Sequence, residues 1–302
     1  MGIVKSLVHY CTDQDYRFLF NIKRGFYTNM PDEEFLKRRF HAARGYYMDF
    51  DNPQTFSEKL QWLKLHDHNP FYTTLVDKVE VKQYIKEKIG ERYLIQTLGV
   101  WNRAEDISFE SLPSQFVLKC THDSHGLVIC KDKSKLDVKA TRSKLDTALK
   151  SSYYLTFREW PYKNVKPRIL AEPYMSNNGD ELIDYKVHCF NGKAKLVLVC
   201  AGRFAPTGLT EDFYDCEWNH LDMKRPKVPN TTEKQLRPAQ LEEMIRIAEM
   251  LSQDIPFVRV DFYIIDGNLI FGEMTFFPAS GFTPFVPDEW DETLGNWLEL
   301  PN

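Results

Sequence analysis

Residues 257–285, FVRVDFYIIDGNLIFGEMTFFPASGFTPF, constrain this chain more than any other stretch. Two runs rich in Val, Ile, Phe and Tyr flank Asp266, Gly267 and Asn268. Those three residue types supply the positive-φ conformations of a tight turn, so the stretch reads as a β-hairpin with a loop after it. Arg259 and Asp261 interrupt the first strand and Glu273 the second, among side chains expected to be buried. A buried charge is costly unless it is paired or holds a metal.

The turn decides which. A turn of Asp266 and Gly267 alone sends Asp261 and Glu273 to opposite faces. If Asn268 joins it in a left-handed conformation, Asp261 lies opposite Glu273 and Arg259 opposite Thr275, all on one face. Two carboxylates about 5 Å apart at Cβ on neighbouring strands repel each other, and bridging Mg²⁺ is a natural use of such a pair. The other reading is a structural Arg259–Asp261 salt bridge with Glu273 reaching solvent. The hairpin alone supports both.

The surrounding chain has room for a substantial core and two or three subdomains at 302 residues. With 43% apolar and 14% aromatic residues it is globular, and a net charge of −4 gives no reason to expect a nucleic-acid partner. Cys11, Cys120, Cys130, Cys189, Cys200 and Cys216 form no CxxC pair. That pattern suits reduced, packed thiols in a cytoplasm. No apolar run approaches the ~20 residues of a membrane span, and no signal peptide opens the chain. Met1-Gly2…Ser6 fits the loose N-myristoylation pattern, which chance often produces. No repeat appears.

Residues 1–75 alternate apolar and charged positions at helical spacing. Pro31 followed by Asp32, Glu33 and Glu34 is a helix start. Lys37, Arg38, Arg39 and Arg44 then lie near Phe40, Tyr46 and Tyr47. This basic, aromatic cluster is either a solvated helix end or a contact for an anionic membrane surface or substrate. Thr55 to His66 reads as an amphipathic helix capped by Ser57 or Thr55, and Asp77 to Ile89 as another. From Phe116 the texture becomes strand-like: 116–120, 127–130, 168–175, 182–190 and 196–202, with a helix around 138–150. Asn191-Gly192 is a strong hairpin turn, and 237–253 is an amphipathic helix with Pro238 in its first turn. The order is α+β with antiparallel pairs, unlike a doubly wound nucleotide fold.

Charges on these strands need a purpose. Lys119 sits mid-strand before the small polar loop THDSHG, which ends at Gly126, and so suggests a phosphate cradle. His122 and His125 lack companion ligands for a metal. Glu172 ends an apolar strand, where a buried carboxylate needs a partner such as an exocyclic amine. Asp184, Lys186 and His188 share one face of the next strand, and Arg203 closes the one after. Charged residues are rarely buried unpaired. Together with Arg259, Asp261 and Glu273, these positions outline a polyanion-binding cleft with a metal.

The motif RVDFY…DGNLIFGEMTFFPASGFT resembles the closing segment of the ATP-grasp ligases, the superfamily of D-alanine–D-alanine ligase. With TFSEKLQWLKL, Asp77-Lys78 and FVLKC, the chain from about residue 50 to 300 is more similar to the TupA-like ATP-grasp family of polysaccharide and teichuronopeptide biosynthesis. The resemblance implies an α+β ATP-grasp fold, two subdomains clamping ATP, behind a helical N-terminal region: 1–75 helical, 76–175 the first subdomain with a lead-in helix, 176–302 the second. It assigns Lys78 and Lys119 to the ATP phosphates and His122, Ser124 and Gly126 to the flap over them. Glu172, Tyr174 and Met175 fall to adenine, and Asp180 to a ribose contact. Lys186, Arg203 and Arg259 become the catalytic cations, Asp261 and Glu273 the Mg²⁺ carboxylates, and Ser280 and Gly281 the substrate loop. Thr275 stands where the family has a metal-ligating asparagine.

The activity implied is ATP-dependent joining of a carboxylate to an amine through an acyl phosphate. The partners implied are an amino acid or other amine and a uronic-acid-containing sugar nucleotide or glycan. The same strand charges also suit a kinase-like phosphotransferase or a nucleotide sensor. A glycosyltransferase in the same pathway would want an Asp-x-Asp motif, present here at Asp49-Phe50-Asp51.

Overall fold

The computed structural model describes residues 3–123, 126–177, 182–203, 205, 208–232 and 234–301. Among them, the helices are α1 (Ile3–Thr12), α2 (Gln14–Ile22), α3 (Asp32–Arg44), α4 (Phe56–His66), α5 (Phe71–Val76), α6 (Glu80–Lys88), α7 (Val138–Leu149), α8 (Tyr153–Phe157), α9 (Leu241–Leu251) and α10 (Glu289–Trp297). The strands are β1 (Gly99–Trp101), β2 (Phe116–Cys120), β3 (Leu127–Cys130), β4 (Ile169–Pro173), β5 (Asp184–Phe190), β6 (Lys193–Ala201), β7 (Thr210–Asp215), β8 (Phe257–Ile265) and β9 (Asn268–Thr275). They form two antiparallel sheets, ordered β1-β4-β2-β3 and β7-β6-β5-β8-β9.

Local chemistry accounts for most boundaries. α4 starts in a capping box in which Thr55 and Glu58 satisfy each other's backbone N–H groups. Ser57 is therefore not the cap; it bonds Asp291, which Arg44 also holds at 2.8 Å. α9 starts at Leu241 rather than Arg237, because Pro238 to Gln240 form a turn closed by the Leu241 N–H on the Pro238 carbonyl. β1 and β7 were not anticipated. β7 reads TEDFYD, too acidic for a strand on pattern alone, and is stabilised by partners: Asp212 accepts from Thr231 and His220.

The apolar cores do not follow the expected divisions at 75 and 175. Phe56, Leu60, Leu63, Tyr72, Leu75, Val81 and Ile85 are buried in the core of the second sheet, so α4, α5 and α6 pack with that sheet. Phe18, Phe35, Leu36, Phe40, Met48 and Phe50 form a separate N-terminal cluster. The first sheet packs with α7 around Phe116, Leu118, Leu145 and Ile169. An amphipathic pattern reveals that a helix has an apolar face, not which sheet will cover it. Cys120, Cys130, Cys189 and Cys200 are buried free thiols, as expected. Among the described residues no helix is long and apolar enough to cross a membrane.

The closing hairpin reaches its expected register by an unexpected route. Asp261 pairs with Glu273 and Arg259 with Thr275. Asn268, however, is not in the turn; it is the first residue of β9 and pairs with Ile265. The turn is the two-residue Asp266-Gly267, with φ of +49° and +77°. The offset comes instead from a bulge: Phe262 pairs with Phe271, leaving Gly272 as the extra residue before Glu273. Glycine suits this point, since a Cβ there would lie 3.1 Å from both the Asp261 carbonyl oxygen and the Tyr263 ring. Replacing Gly267, at φ +77°, by alanine should cost about 1–2 kcal/mol. Chemical denaturation measures it, and an unshifted midpoint would contradict the left-handed turn.

Candidate active site

A cleft of about 420 Å³ lies between the sheets. Val117, Ile129 and Leu170 of the first sheet, Phe271 of the second, and Leu94 and Ile95 give it apolar walls. Lys78, Lys119, Lys186 and Arg203 bring positive charge, and Glu172, Asp184 and Glu273 bring carboxylates. Gly126, Tyr174 and Met175 also line it. An apolar slot with convergent cations suits a flat ring attached to an anionic chain.

On the first sheet, Lys119 and Val117 point the same way by the two-residue period. The Lys119 Nζ is 2.8 Å from Glu172 Oε2, and the Lys82 Nζ is 2.6 Å from Oε1. Glu172 therefore does not stand free for an exocyclic amine: both oxygens accept from lysines. Burial alone would raise its carboxyl's pKa, but the two ammonium groups outweigh it and hold it below the usual range. Lys82 was missed because a lysine in a helix normally reads as solvated; its head also donates to the Ile95 carbonyl and Thr97.

The Lys78 ammonium donates to the Asp123 carbonyl at 2.7 Å, and burial lowers its pKa. Asp123, also unanticipated, accepts from the Gly126 N–H. His122 does not join them: its ring is buried, Nε2 lies 3.2 Å from the Ser151 carbonyl, and it does not line the cleft. Ser124 and Asp180 lie outside the described residues.

The second sheet carries the charge centre. Arg259 donates from Nε and Nη2 to both oxygens of Asp261, at 2.6 and 2.7 Å, and Lys186 reaches the same carboxylate at 2.5 Å. Burial pushes the Asp261 carboxyl up, but Arg259 and Lys186 more than offset it, so it titrates below its usual range. Arg203 binds Asp184 at 3.2 Å. Arg259 also donates to the Thr275 hydroxyl at 3.1 Å. Glu273, its side chain 45% exposed, lies opposite Asp261 and 3.7 Å from Arg259. The Arg259–Asp261 ion pair of the structural reading is present, and the two carboxylates share the face that the metal reading requires.

The residue types suit Mg²⁺, although both Asp261 oxygens accept from Arg259 and Lys186 here, which leaves Glu273 as the open carboxylate. Two hard carboxylates face each other, with a hydroxyl beside them, and Mg²⁺ commonly takes one or two carboxylates and completes its shell with water and phosphate oxygens. No group of three or more His, Cys, Asp or Glu placed for a metal occurs among the described residues. Ser280 and Gly281 do not line the cleft; the Ser280 side chain is buried and turned toward α4. Arg39 and Arg44 are tied down as well, Arg39 between the Phe157 and Phe282 rings and Arg44 on Asp291, while Tyr46 and Tyr47 stay exposed. Asp49 and Asp51 form a local turn, the Asp51 N–H donating to Asp49, and do not line the cleft.

A family model described as TupA-like ATPgrasp matches residues 58–299. Compared with curated protein sequences, the chain has no match. Among solved structures it is similar to the D-alanine–D-alanine ligase of Bacillus anthracis complexed with ATP, at 18% identity and TM-score 0.41, covering 67% of this chain and 55% of that one. ATP-grasp ligase PsnB with a phosphomimetic precursor variant, Mg and ADP is similar at 12% identity and TM-score 0.41, covering 88% and 66%. The chain thus spans little more than half of the first of these.

Asp261 and Glu273 should separate in their effects. Asp261→Asn leaves two buried cations short of a counter-charge and should cost about 3 kcal/mol; Glu273→Gln, half exposed, should stay within about 0.5 kcal/mol. The lowered Asp261 pKa contributes stability in full above the unfolded value of about 4, and that contribution is lost as pH falls through the folded value. Denaturation of the wild type should therefore steepen below about pH 4, and Asp261→Asn should flatten that slope.

Proposed function

The chain belongs to the TupA-like ATP-grasp family, and on that premise we propose that it is an ATP-dependent carboxylate–amine ligase. The observation that carries the reading is the placement of the Asp261–Glu273 pair, with Arg259 and Lys186, beside a cleft walled by apolar side chains and entered by Lys78 and Lys119.

In this reading the adenine lies between the apolar walls near Tyr174 and Met175, and the phosphates run toward Lys78, Lys119 and the loop ending at Gly126. Asp261, Glu273 and, through its hydroxyl, Thr275 would hold Mg²⁺, whose chemistry is charge neutralisation on the transferred phosphoryl group. Arg259 and Lys186, fixed by Asp261, place positive charge where negative charge develops as a carboxylate oxygen attacks that group. Arg203, on Asp184, stands at the cleft's edge. With ADP as the leaving group of that first step, the amine nitrogen then attacks the acyl carbon, inorganic phosphate leaves and the nitrogen gives up a proton, so that an amide forms; holding the reactants in a fixed geometry contributes to the rate.

The acceptor in this proposal is a uronic acid on a sugar nucleotide or glycan of a capsule or surface polysaccharide, and the amine an amino acid. It is read as a cytoplasmic reaction, with Tyr46, Tyr47 and neighbouring basic residues as the side that meets a glycan or a membrane's inner face. No nucleic acid takes part.

Phosphate release from ATP tests this directly. Turnover should require Mg²⁺, a uronic acid and an amino acid together, and Glu273→Gln should abolish it. Lys119→Met should raise the KM for ATP about ten-fold. Turnover on a hydroxylated acceptor alone would replace the ligase by a kinase, and nucleoside diphosphate release from a nucleotide sugar would replace it by a glycosyltransferase.

A further inference from the structure

The loop after β9 is held in an unusual shape by residues far away in sequence. Ala279, Ser280 and Gly281 have φ of +48°, +56° and +66°, three consecutive left-handed residues of which two carry side chains. That conformation is unfavourable for any residue with a Cβ and persists only where its surroundings enforce it.

The surroundings include two side chains of α4 and Glu159, whose carboxyl accepts a hydrogen bond from the Ser280 side chain. The Lys64 Nζ donates to the Ser280 carbonyl at 2.8 Å, the Ser280 hydroxyl at 2.9 Å and Gln61 Oε1 at 2.9 Å. All three ammonium hydrogens thus have acceptors although the residue is only 2% exposed. Gln61, fully buried, donates to the Ser280 and Gly281 carbonyls at 3.1 and 3.2 Å. The fit leaves no slack: a Cβ on Gly281 would lie 2.4 Å from the Gln61 amide nitrogen. Phe282 covers the Lys64 nitrogen at 4.4 Å, and Glu159 is buried close by with Oε1 lacking a hydrogen-bond partner; burial pushes the pKa of the Glu159 carboxyl up to about 7 and lowers that of the Lys64 ammonium.

We infer that Lys64 and Gln61 are positioning residues for the acceptor side of the reaction, holding fixed the 278–281 turn that follows the charge centre on β9. The loop leaves β9 directly after Thr275, whose hydroxyl Arg259 holds, so a change in its shape begins within three residues of the charge centre. Neither Lys64 nor Gln61 lines the ATP cleft. A helix on the N-terminal side of the chain thereby governs one substrate and leaves the nucleotide alone. The inference rests on the ligase reading for its kinetic part and on geometry for its structural part.

Lys64→Met keeps the length of the side chain and removes its three donors. Hydrogen exchange of peptides covering 278–282 should accelerate about ten-fold or more in this variant. The KM for uronic acid or amine should rise about ten-fold while the KM for ATP stays within about two-fold. Gln61→Met should show the same split more weakly. If Lys64→Met does not fold, the Lys64→Met/Glu159→Gln double variant, which removes both buried charges, replaces it with the same expectation. Unchanged exchange in the folded variant overturns the brace, as does a KM for ATP that rises in step with the acceptor's. If the wild type turns over no carboxylate with an amine, the ligase reading falls and the exchange measurement alone decides the brace.

Discussion

The pairing of Asp261 with Arg259 and Lys186 is the constraint on which the rest of the second sheet depends. Three charges that would each be intolerable in a core are brought within hydrogen-bond reach on adjacent strands, β8 and β5, and a bidentate guanidinium–carboxylate contact fixes their mutual orientation. The surrounding strands can then be as apolar as Val187, Val258 and Val260 without leaving a charge stranded. Such a cluster is weak as a source of stability, since desolvation consumes much of the attraction. Its effect is to hold cations rigidly beside Glu273 in a place where water cannot relax them.

The same economy recurs around the cleft. Glu172 is shared by Lys82 and Lys119, and Asp184 by Arg203 and, at 3.7 Å, Lys186. Because α6 packs with the second sheet while β4 belongs to the first, the Lys82–Glu172 contact also ties the two layers together. A polyanion entering such a cleft exchanges one set of charge-assisted hydrogen bonds for another, so selectivity comes from how many cations it can reach at once.

The hairpin, the strands bearing Lys119, Glu172 and Lys186, and the α4 and α7 helices were legible because each is written locally, in period-two or period-3.6 patterns with turn residues at the ends; the bulge at Gly272 that sets the hairpin's register was not. Lys82, Asp123 and Lys64 were not. A lysine on a helix carries no local mark that its head will meet a carboxylate or a strained loop more than eighty residues away. Ser280 and His122 show a different limit: a motif placed them in functional loops, but it could not show that their side chains turn away from the cleft. β7 escaped because acidic residues satisfied by side chains of a later loop look, in sequence, like solvent-exposed ones.

The Gly272 bulge separates two requirements that a plain hairpin would force together. Below it, pairing with β5 fixes the phase of β8 and β9, Asp261 beside Lys186 and Arg259 beside His188. Above it, the strands close by the tightest turn available, with the opposite parity. The tip of the hairpin is thereby relieved of any duty to the chemistry. The charges of Arg259, Asp261 and Glu273 are thus aimed by the strands below the bulge, and the turn at Asp266-Gly267 shapes only the distal hairpin that carries Tyr263 and Phe271.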